Sequence, residues 1–243
     1  MAQATAAIAS SVPPHTTVAR SCAKTTRGHR GAHITTPTHS APHNVTVICL
    51  RTARLVLREY MDEDWPAVLA YQSDARYLRY YPWSERDAAT VRAWIGRLID
   101  CQSDEPRNVF QLAITLPEGN GLPIGSCGVR VNDRIRLEGN IGYELNPEYW
   151  QRGYATEAAW AMLGYGFDHL GLHRIWAELN ADNAASAHVL EKIGMRREAH
   201  FREQDYFKDR WWDGLIYAIL SREWHMQHKP PWLSEMVESG GVG

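Results

Sequence analysis

The segment that most constrains the fold is a strand-like stretch followed by a short loop and an alanine-rich helical pattern. Residues 141–145 (IGYEL) are strand-like, residues 147–157 (PEYWQRGYATE) hold one glycine, and the helical pattern covers residues 153–170. The first turn of a helix carries backbone N–H groups without internal partners, and the helix dipole adds partial positive charge there. Because Gly153 has no Cβ, a ligand can approach the chain closely. The pattern predicts a phosphate-binding strand–loop–helix unit.

Two familiar phosphate-binding motifs do not fit this loop. A Walker loop requires the spacing Gly-x-x-x-x-Gly-Lys-Ser/Thr, and no lysine lies near the segment. A Rossmann fingerprint requires three glycines, whereas this loop has one. Taken alone, the segment is equally compatible with an ordinary connection between a strand and an amphipathic helix.

Periodicity and turn residues predict about seven strands and four helices along the chain. The strands are predicted at residues 54–58, 109–116, 123–131, 138–145, 173–179, 197–207 and 211–220. The helices are predicted from about residue 65 and over residues 85–102, 153–170 and 184–193, the last ended by Gly194. Gly164 and Gly166 inside the third helix each cost roughly 1 kcal/mol relative to alanine, and close packing against a sheet is the expected reason.

The first fifty residues differ in composition from the rest of the chain. Ala, Ser, Thr, Pro and His dominate them, acidic residues are absent, and the basic residues are Arg20, Lys24, Arg27 and Arg30. Such a segment has too little apolar surface to offset the entropy lost on ordering, so we predict a disordered leader over residues 1–50. An organelle transit peptide, or a mis-assigned start with the folded protein beginning near Val45, fits the same composition. The folded domain is then expected over residues 51–224, with a loose tail over residues 225–243.

Charge and cysteine content restrict the function classes. The whole chain has a formal net charge of −2, but residues 51–243 hold 22 Lys and Arg against 28 Asp and Glu, a charge of −6. A mildly acidic domain is a poor candidate for nonspecific nucleic-acid binding and suits a cationic amine better. No stretch has the length and apolarity of a membrane span. The scattered cysteines predict neither a metal site nor a disulfide framework, and they are Cys22, Cys49, Cys101 and Cys127. A cytoplasmic location is therefore expected, or an organelle if the leader is a transit peptide.

The loop resembles the pyrophosphate loop of the GCN5-related N-acetyltransferases, whose signature is Arg/Gln-x-x-Gly-x-Gly/Ala. Gly153 and Ala155 match its last two positions, and Trp150 stands at the first. Tryptophan is common there in the branch that acetylates ribosomal-protein N-termini and small amines, which this chain resembles most. Residues 183–186 (NAAS) and 190–195 (LEKIGM) resemble a second element of that branch, Asn-x-x-Ser followed by Glu-Lys-x-Gly-Phe, with methionine in place of the phenylalanine.

The resemblance covers residues 51–224 and implies an α+β acetyltransferase fold, a mixed central sheet of about seven strands flanked by four helices. It also implies acetyl-CoA as co-substrate, a primary amine as acceptor, direct attack within a ternary complex, and no metal. No cysteine lies near the matched motifs, which argues against an acyl-enzyme. We expect no nucleic-acid or membrane partner, and a monomer or a homodimer. Two alternatives stay open: a non-catalytic acyl-CoA-binding module that senses the coenzyme, and an interaction domain that has kept the scaffold alone.

By the resemblance, backbone amides of the loop hold the pyrophosphate of the coenzyme. The residues concerned are Gln151, Arg152, Gly153, Tyr154, Ala155 and Thr156. In the family, the strands corresponding to those that contain Leu145 and Leu179 splay apart to admit the pantetheine arm, and a backbone N–H near Leu145 would polarise the acetyl carbonyl. Asn183 is expected to bond the same arm, or to cap the helix that follows it. The Arg152 side chain either adds charge to the site or faces water.

The resemblance also implies candidates for proton transfer. Ser186 is the candidate general acid, because Leu190 stands where many relatives carry a tyrosine. A thiolate whose conjugate acid has a pKa of about 8.5 leaves with little help, and serine is favoured at helix starts, so capping is the alternative role. Glu203 and Glu144 compete as the base: Glu203 matches an acidic position after the final helix of the branch, and Glu144 lies beside the carbonyl site. A solvated carboxylate without a role is the alternative for each.

An aromatic cluster between the first two predicted helices is the candidate acceptor site. Its members are Tyr80, Tyr81 and Trp83, together with Tyr77. Family members shape the acceptor site in this region, and an aromatic wall would embrace an amine through cation–π contact. Core packing is the alternative explanation for large aromatic side chains.

Overall fold

Residues 47–227 are described by the computed structural model, and one eight-stranded mixed sheet runs through them. The strands are β1 (Cys49–Arg51), β2 (Val56–Arg58), β3 (Val109–Thr115), β4 (Gly125–Asp133), β5 (Glu138–Leu145), β6 (Arg174–Asn180), β7 (Arg196–Phe207) and β8 (Arg210–Leu220). They lie in the order β1-β2-β3-β4-β5-β6-β8-β7, and every neighbouring pair is antiparallel except β5 with β6. The helices are α1 (Trp65–Gln72), α2 (Ala75–Leu78), α3 (Ala88–Cys101), α4 (Tyr154–Gly164), α5 (Ala184–Lys192) and α6 (Ser221–Met226).

The predicted α+β architecture is confirmed, with a difference in the number of elements. A tight turn, in which the Thr52 N–H donates to the Leu55 carbonyl at 3.0 Å, folds β1 back on β2 and adds an eighth strand. The four predicted helices are present as α1, α3, α4 and α5. Helices α2 and α6 are additional, and with four and six residues they are too short to show a helical period.

Two hydrophobic cores cover the two faces of the sheet. On one face, α4 and α5 pack over alternate residues of the central strands, including Ile141, Tyr143 and Leu145 of β5. On the other face, α1, α2 and α3 form a second core that reaches the sheet at Ala113. Because successive side chains of a strand point to opposite faces, Glu144 lies on this second face, under α1 and α2.

The glycines near the end of α4 have different neighbours. A Cβ at Gly166 would lie 2.6 Å from Ile175 Cδ1, so the predicted close packing against the sheet is confirmed at this position. A Cβ at Gly164 would instead lie 3.4 Å from the Trp224 ring, which belongs to α6 and not to the sheet. The predicted long helix is also divided there, because α4 ends at Gly164 and a π-helical turn, Tyr165–His169, follows it.

The sheet opens between β5 and β6. These strands are paired over three residues of each, 138–140 with 174–176. Nevertheless β5 continues along β4 as far as Leu145, and β6 continues along β8 as far as Asn180. The two strands therefore separate toward their C-terminal ends and leave a cleft within the sheet, as the resemblance predicts.

Two predictions concern the ends of the chain. Residues 1–46 of the expected leader and residues 228–243 of the expected tail lie outside the described residues. The regular elements run from Cys49 to Met226, two residues past each predicted boundary of the domain. Within residues 47–227, no helix combines the length and the apolar character needed to cross a bilayer.

Candidate active site

The loop between β5 and α4 presents a row of unused backbone donors. Gln151, with φ 63°, and Gly153, with φ 79°, adopt the left-handed conformation, and Gly153 is the N-cap of α4. Within residues 47–227, the backbone N–H groups of the six residues 151–156 have no hydrogen-bond acceptor. The first bond of the helix runs from the Glu157 N–H to the Gly153 carbonyl at 3.0 Å. Free donors at a helix start bind anions, so the six residues predicted to hold pyrophosphate lie together at a suitable site.

The Arg152 side chain is exposed and packs on its own loop. Its Nη2 donates to the Glu148 carbonyl at 3.1 Å, and its guanidinium carbon lies 5.3 Å from the centroid of the Tyr149 ring. The water-facing position considered from the sequence is therefore present. The guanidinium still adds a positive charge beside the free amides.

The register of the sheet directs the Leu145 amide into the cleft. Hydrogen-bonded and non-hydrogen-bonded pairs alternate along an antiparallel ladder. The Asn146 N–H donates to the Ile124 carbonyl at 2.8 Å, so the next pair, Leu145 opposite Gly125, is a non-hydrogen-bonded pair. The N–H and C=O of Leu145 therefore point away from β4 and toward β6. The C=O accepts from Trp150 Nε1 at 2.8 Å, and the N–H remains as a donor at the cleft.

Asn183 and Ser186 lie at the start of α5, next to a residue that the sequence reasoning missed. Asn183 Oδ1 accepts from the Ser186 N–H at 3.2 Å, so the capping role is present. Ser186 is fully buried, its Oγ lies 2.9 Å from the Tyr143 hydroxyl, and that hydroxyl donates to the Ser186 carbonyl at 3.0 Å. Burial raises the pKa of Tyr143 and keeps its hydroxyl protonated, and either oxygen can be the donor in the contact with Ser186 Oγ. Tyr143 was expected only as part of a strand, and no local signal linked it to Ser186.

Glu144 is a buried carboxylate held by three neutral donors. Oε1 accepts from the Tyr71 hydroxyl at 2.7 Å and from Gln72 Nε2 at 2.9 Å, and Oε2 accepts from the Tyr77 hydroxyl at 2.5 Å. Burial and the nearby Glu144 charge raise the pKa of both tyrosines well above the ordinary value, so their hydroxyls remain donors. The three donors come from α1 and α2, which are thereby joined to β5 one residue before Leu145.

The aromatic residues proposed for the acceptor wall separate into two groups. Tyr77, Tyr81 and Trp83 form a stacked column, with ring centroids 4.8 Å apart at both contacts. Tyr80 lies apart from this column, and its hydroxyl donates to the Asp182 carbonyl in the loop before α5, at 3.0 Å. Tyr80 and Tyr81 are buried and Trp83 is half-buried, so packing accounts for the two tyrosines. The Trp83 ring stacks on Tyr81 and also contacts Arg86, whose guanidinium carbon lies 5.2 Å from the ring centroid.

Glu203 is not brought next to Glu144. It occupies a bulge in β7, the edge strand, with φ 51°, and its backbone N–H donates to Asp213 Oδ1 at 2.8 Å. The carboxylate is exposed and has no partner within residues 47–227. Strand β8 separates β7 from β6 and the cleft.

The site suits a diphosphate-bearing thioester and shows no feature of a metal centre. Across the described part of the chain, no group of three or more His, Cys, Asp or Glu side chains could hold a metal ion. Cys49, Cys101 and Cys127 are free thiols, and Cys22 lies outside the described residues. The row of free amides fits a diphosphate, and the cleft beside it fits an extended arm, which are the two requirements of acetyl-CoA.

Comparison of the sequence with known proteins gives a consistent result. The sequence model of the acetyltransferase (GNAT) domain matches residues 54–196. The uncharacterized N-acetyltransferase YnaD of Bacillus subtilis (strain 168) is 35% identical over 179 residues, which are 72% of this chain and 99% of that protein. The chain belongs to the GNAT acetyltransferase family, and the prediction of an acyltransferase is confirmed.

Solved structures confirm the fold. The crystal structure of a GNAT-family acetyltransferase from Bacillus anthracis matches with a TM-score of 0.63 and 32% identity, covering 72% of this chain and 99% of that one. Spermidine N-acetyltransferase from Vibrio cholerae, solved in complex with CoA and spermine, matches with a TM-score of 0.62 and 18% identity, covering 72% of this chain and 99% of that one. The second likeness is one of fold alone. The narrower resemblance, to the ribosomal-protein N-acetyltransferase branch, stays a prediction.

Proposed function

We propose that this chain transfers the acetyl group of acetyl-CoA to a primary amine, by direct attack of the amine within a ternary complex. Membership of the family accounts for the acetyltransferase class, whereas the acceptor, the order of events and the residue roles are the proposal. One observation carries it: six free loop amides adjoin a cleft into which the Leu145 N–H points.

The residues around the cleft divide the work of binding and polarisation. The amides of residues 151–156 hold the diphosphate, and the open edges of β5 and β6 receive the pantetheine arm as a short added strand. When bound, acetyl-CoA supplies an activated acyl group. The Leu145 N–H donates to the thioester oxygen and stabilises the negative charge that develops there as the amine attacks.

Of the two candidate bases, the geometry supports Glu144. An ammonium group with a pKa of about 10 must lose a proton before it can attack. Glu144 is next to Leu145 in the chain and faces the α1–α2 side of the sheet, whereas Glu203 lies on an exposed bulge of the edge strand. Glu144 removes the proton through a water, because both of its oxygens already accept hydrogen bonds from protein groups.

The leaving thiolate and the buried thiol of Cys127 also bear on the mechanism. The thiolate of a coenzyme whose conjugate acid has a pKa of about 8.5 departs without a strong acid, and Ser186 Oγ is already in a hydrogen bond with the Tyr143 hydroxyl. These contacts support a capping and packing role for Ser186. Cys127 lies opposite Tyr143 in the ladder, but burial raises its pKa and keeps the thiol protonated, which supports direct attack over an acyl-enzyme.

The acceptor class rests on charge and on the aromatic column. Residues 51–243 carry a formal charge of −6, from 22 basic and 28 acidic residues, which favours a cation over an anion. The half-buried Trp83 ring already takes part in a cation–π contact, with the Arg86 guanidinium carbon 5.2 Å from its centroid, and we propose that an ammonium acceptor takes the place of that guanidinium. A small amine or a protein N-terminus is therefore proposed as the acceptor. A cytoplasmic location, and a monomer or homodimer, stay predictions.

The test is a screen for thiol release. Purified full-length chain and acetyl-CoA are mixed with a library of polyamines, amino acids, aminoglycosides and peptides with free N-termini, and CoA formation is followed. Release with one amine class and an acetylated product by mass spectrometry are the expected result. Tight binding of acetyl-CoA without release across the library would favour the sensor alternative, and no binding of CoA would favour the scaffold alternative.

A further inference from the structure

Glu157 is a buried carboxylate that the proposed mechanism does not use. It lies in the first turn of α4, at the end of the coenzyme loop, and is 2% exposed. Its Oε1 accepts from the Thr52 hydroxyl at 2.6 Å and from the Arg54 N–H at 3.0 Å. Its Oε2 accepts from Arg54 Nε at 2.7 Å and lies 2.6 Å from Arg54 Nη2. Within residues 47–227, the turn between β1 and β2 thus supplies every partner of this carboxylate.

Arg54 reaches from that turn across the coenzyme loop. Its Nη1 donates to the Arg152 carbonyl at 3.0 Å, and its guanidinium carbon lies 4.9 Å from the centroid of the Tyr154 ring. A Cβ placed on Gly153 would lie 3.3 Å from Nη2. One guanidinium therefore contacts the loop before, at and after the glycine on which the anion site depends.

These contacts determine the conformation of the loop. A left-handed φ such as the 63° of Gln151 is sparsely populated for a residue with a side chain, and Gly153 at 79° is free to take either sign of φ, so an exposed loop without restraints would sample other conformations. Arg54 holds the Arg152 carbonyl on one side of Gly153 and Glu157 on the other. The free amides are consequently oriented before any ligand arrives, and a preorganised site loses less free energy on binding.

The charge of Glu157 gives the pair a second effect. A carboxylate in the first turn of a helix interacts well with the helix dipole, but it competes with a bound anion for the same positive potential. The Arg54 guanidinium neutralises that charge by direct contact. Without Arg54, a buried and unpaired carboxylate would remain at the end of the loop and would repel a diphosphate.

We propose that Arg54 and Glu157 are positioning residues for the diphosphate of the coenzyme. The pair locks the loop amides in an anion-binding orientation and cancels the negative charge of the carboxylate buried beside them. The proposal rests on the proposed binding of acetyl-CoA at this loop. Neither residue touches the reacting atoms, so their loss is expected to change coenzyme affinity and not the affinity for the amine.

The test compares CoA with pantetheine, which is the same arm without the diphosphate and the nucleotide. Arg54→Gln in the full chain is expected to weaken CoA binding about tenfold by calorimetry, and to change pantetheine binding, followed by tryptophan fluorescence, by less than about twofold. Arg54→Lys keeps the charge but loses the planar fork that bonds Glu157 and the Arg152 carbonyl together, so a loss of about threefold is expected. Adding Glu157→Gln to Arg54→Gln removes the unpaired carboxylate and should recover about threefold.

Asp64→Asn is the matched control. Asp64 is also buried, accepts from both terminal nitrogens of Arg58 and from the Met61 N–H, and lies at the start of α1. This variant should lower the stability of the fold and leave CoA affinity unchanged.

Three outcomes would overturn the inference. One is an equal loss of CoA and pantetheine affinity in Arg54→Gln, and another is a CoA-specific loss in the Asp64→Asn control. If Arg54→Gln does not fold, Arg54→Lys carries the test, and unchanged CoA affinity in that variant is the third. A wild-type chain that does not bind CoA at all would instead overturn the proposed function, and the inference with it.

Discussion

Replacing Glu144 by glutamine would place a donor inside a site built from donors. The carboxylate accepts from the hydroxyls of Tyr71 and Tyr77 and from Gln72 Nε2. A glutamine side chain accepts at its oxygen and donates at its nitrogen. With the oxygen in the position of Oε1, the bonds to Tyr71 and Gln72 persist, but the nitrogen then faces the Tyr77 hydroxyl, which can accept from it only by turning its own proton away and losing the acceptor it has in the wild type. The opposite orientation sets the nitrogen against two donors and is worse.

The hydrogen bonds determine the size of the effect. A bond to a charged group contributes about 1.5–3 kcal/mol and a neutral one about 0.5–1.5 kcal/mol, so each of the two retained bonds loses about 1 kcal/mol. The conflict at Tyr77 costs about 2 kcal/mol more, because it leaves buried donors unsatisfied. Relief from burying a charge offsets about half of that total, which leaves a net destabilisation of about 2 kcal/mol. With a urea m value of about 2 kcal/mol per molar, the unfolding midpoint falls by about 1 M.

A double-mutant cycle with Tyr77→Phe measures the same conflict directly. In the wild-type background, Tyr77→Phe removes a bond to a charged acceptor and costs about 1.5–3 kcal/mol. In the Glu144→Gln background the same substitution removes the conflict but leaves the buried glutamine N–H without an acceptor, so the two effects offset each other and its cost is close to zero. Equilibrium urea unfolding of the four proteins should give a coupling energy of about 2 kcal/mol. Tyr80→Phe is the control, since its hydroxyl bonds the Asp182 carbonyl outside the cluster and should add independently. Coupling below about 0.5 kcal/mol between Glu144 and Tyr77 would refute the assignment.

Kinetics of the same variant test the base. Without a carboxylate base, the rate should fall mainly at lower pH, because at higher pH a larger fraction of the amine is already neutral. Loosening of α1 and α2 should also raise the KM for the amine and leave that for acetyl-CoA unchanged. Glu203→Gln is the comparison variant, and its pH–rate profile should match the wild type. The reverse pattern, with Glu203→Gln altered and Glu144→Gln unaltered, would return the role to Glu203.

Three further substitutions test the cleft, the loop and the start of α5. Leu145→Pro removes an N–H that makes no hydrogen bond in the ladder. We expect kcat to fall about 100-fold while the affinity for CoA is nearly retained. An unchanged kcat in folded protein would exclude this donor. Gly153→Ala places a residue with a Cβ at φ 79° and directs that Cβ toward the Arg54 guanidinium. The Kd for CoA, measured by calorimetry, should rise about tenfold. An unchanged Kd would contradict the strain argument. Ser186→Ala keeps the capped N–H and loses a hydrogen bond to Tyr143. The free energy of unfolding should therefore fall by about 1 kcal/mol, and kcat should fall less than about tenfold. A drop in kcat of about 100-fold would restore the acid role.

The coenzyme loop was predictable from the sequence because a few adjacent residues determine it. One glycine between a strand and an alanine-rich helix predicted an anion site, and Gly153 is the N-cap of α4. The cleft came from the resemblance alone, since hydrophobic periodicity does not report which strands pair or where their pairing stops. Strand β1, with three residues, and helix α2, with four, are too short to show any period.

The contacts that position the site join residues far apart in the chain. The ion pair of Glu157 is an example. Six of the nine residues 155–163 in α4 are apolar and buried, and Glu157 is buried among them, so its carboxylate requires a partner, because a buried unpaired charge costs several kcal/mol. The burial that the structure shows for Glu157 therefore requires a cation at the first turn of α4, which the sequence analysis did not predict. The sequence does not identify Arg54, which is 103 residues away in a different predicted element. The need for a cation follows from the burial of Glu157, whereas the residue that supplies the cation depends on how α4 packs against the sheet. The same division applies to Glu144 and Tyr77, 67 residues apart, where alternation predicts the face of the carboxylate and only the fold supplies its donor.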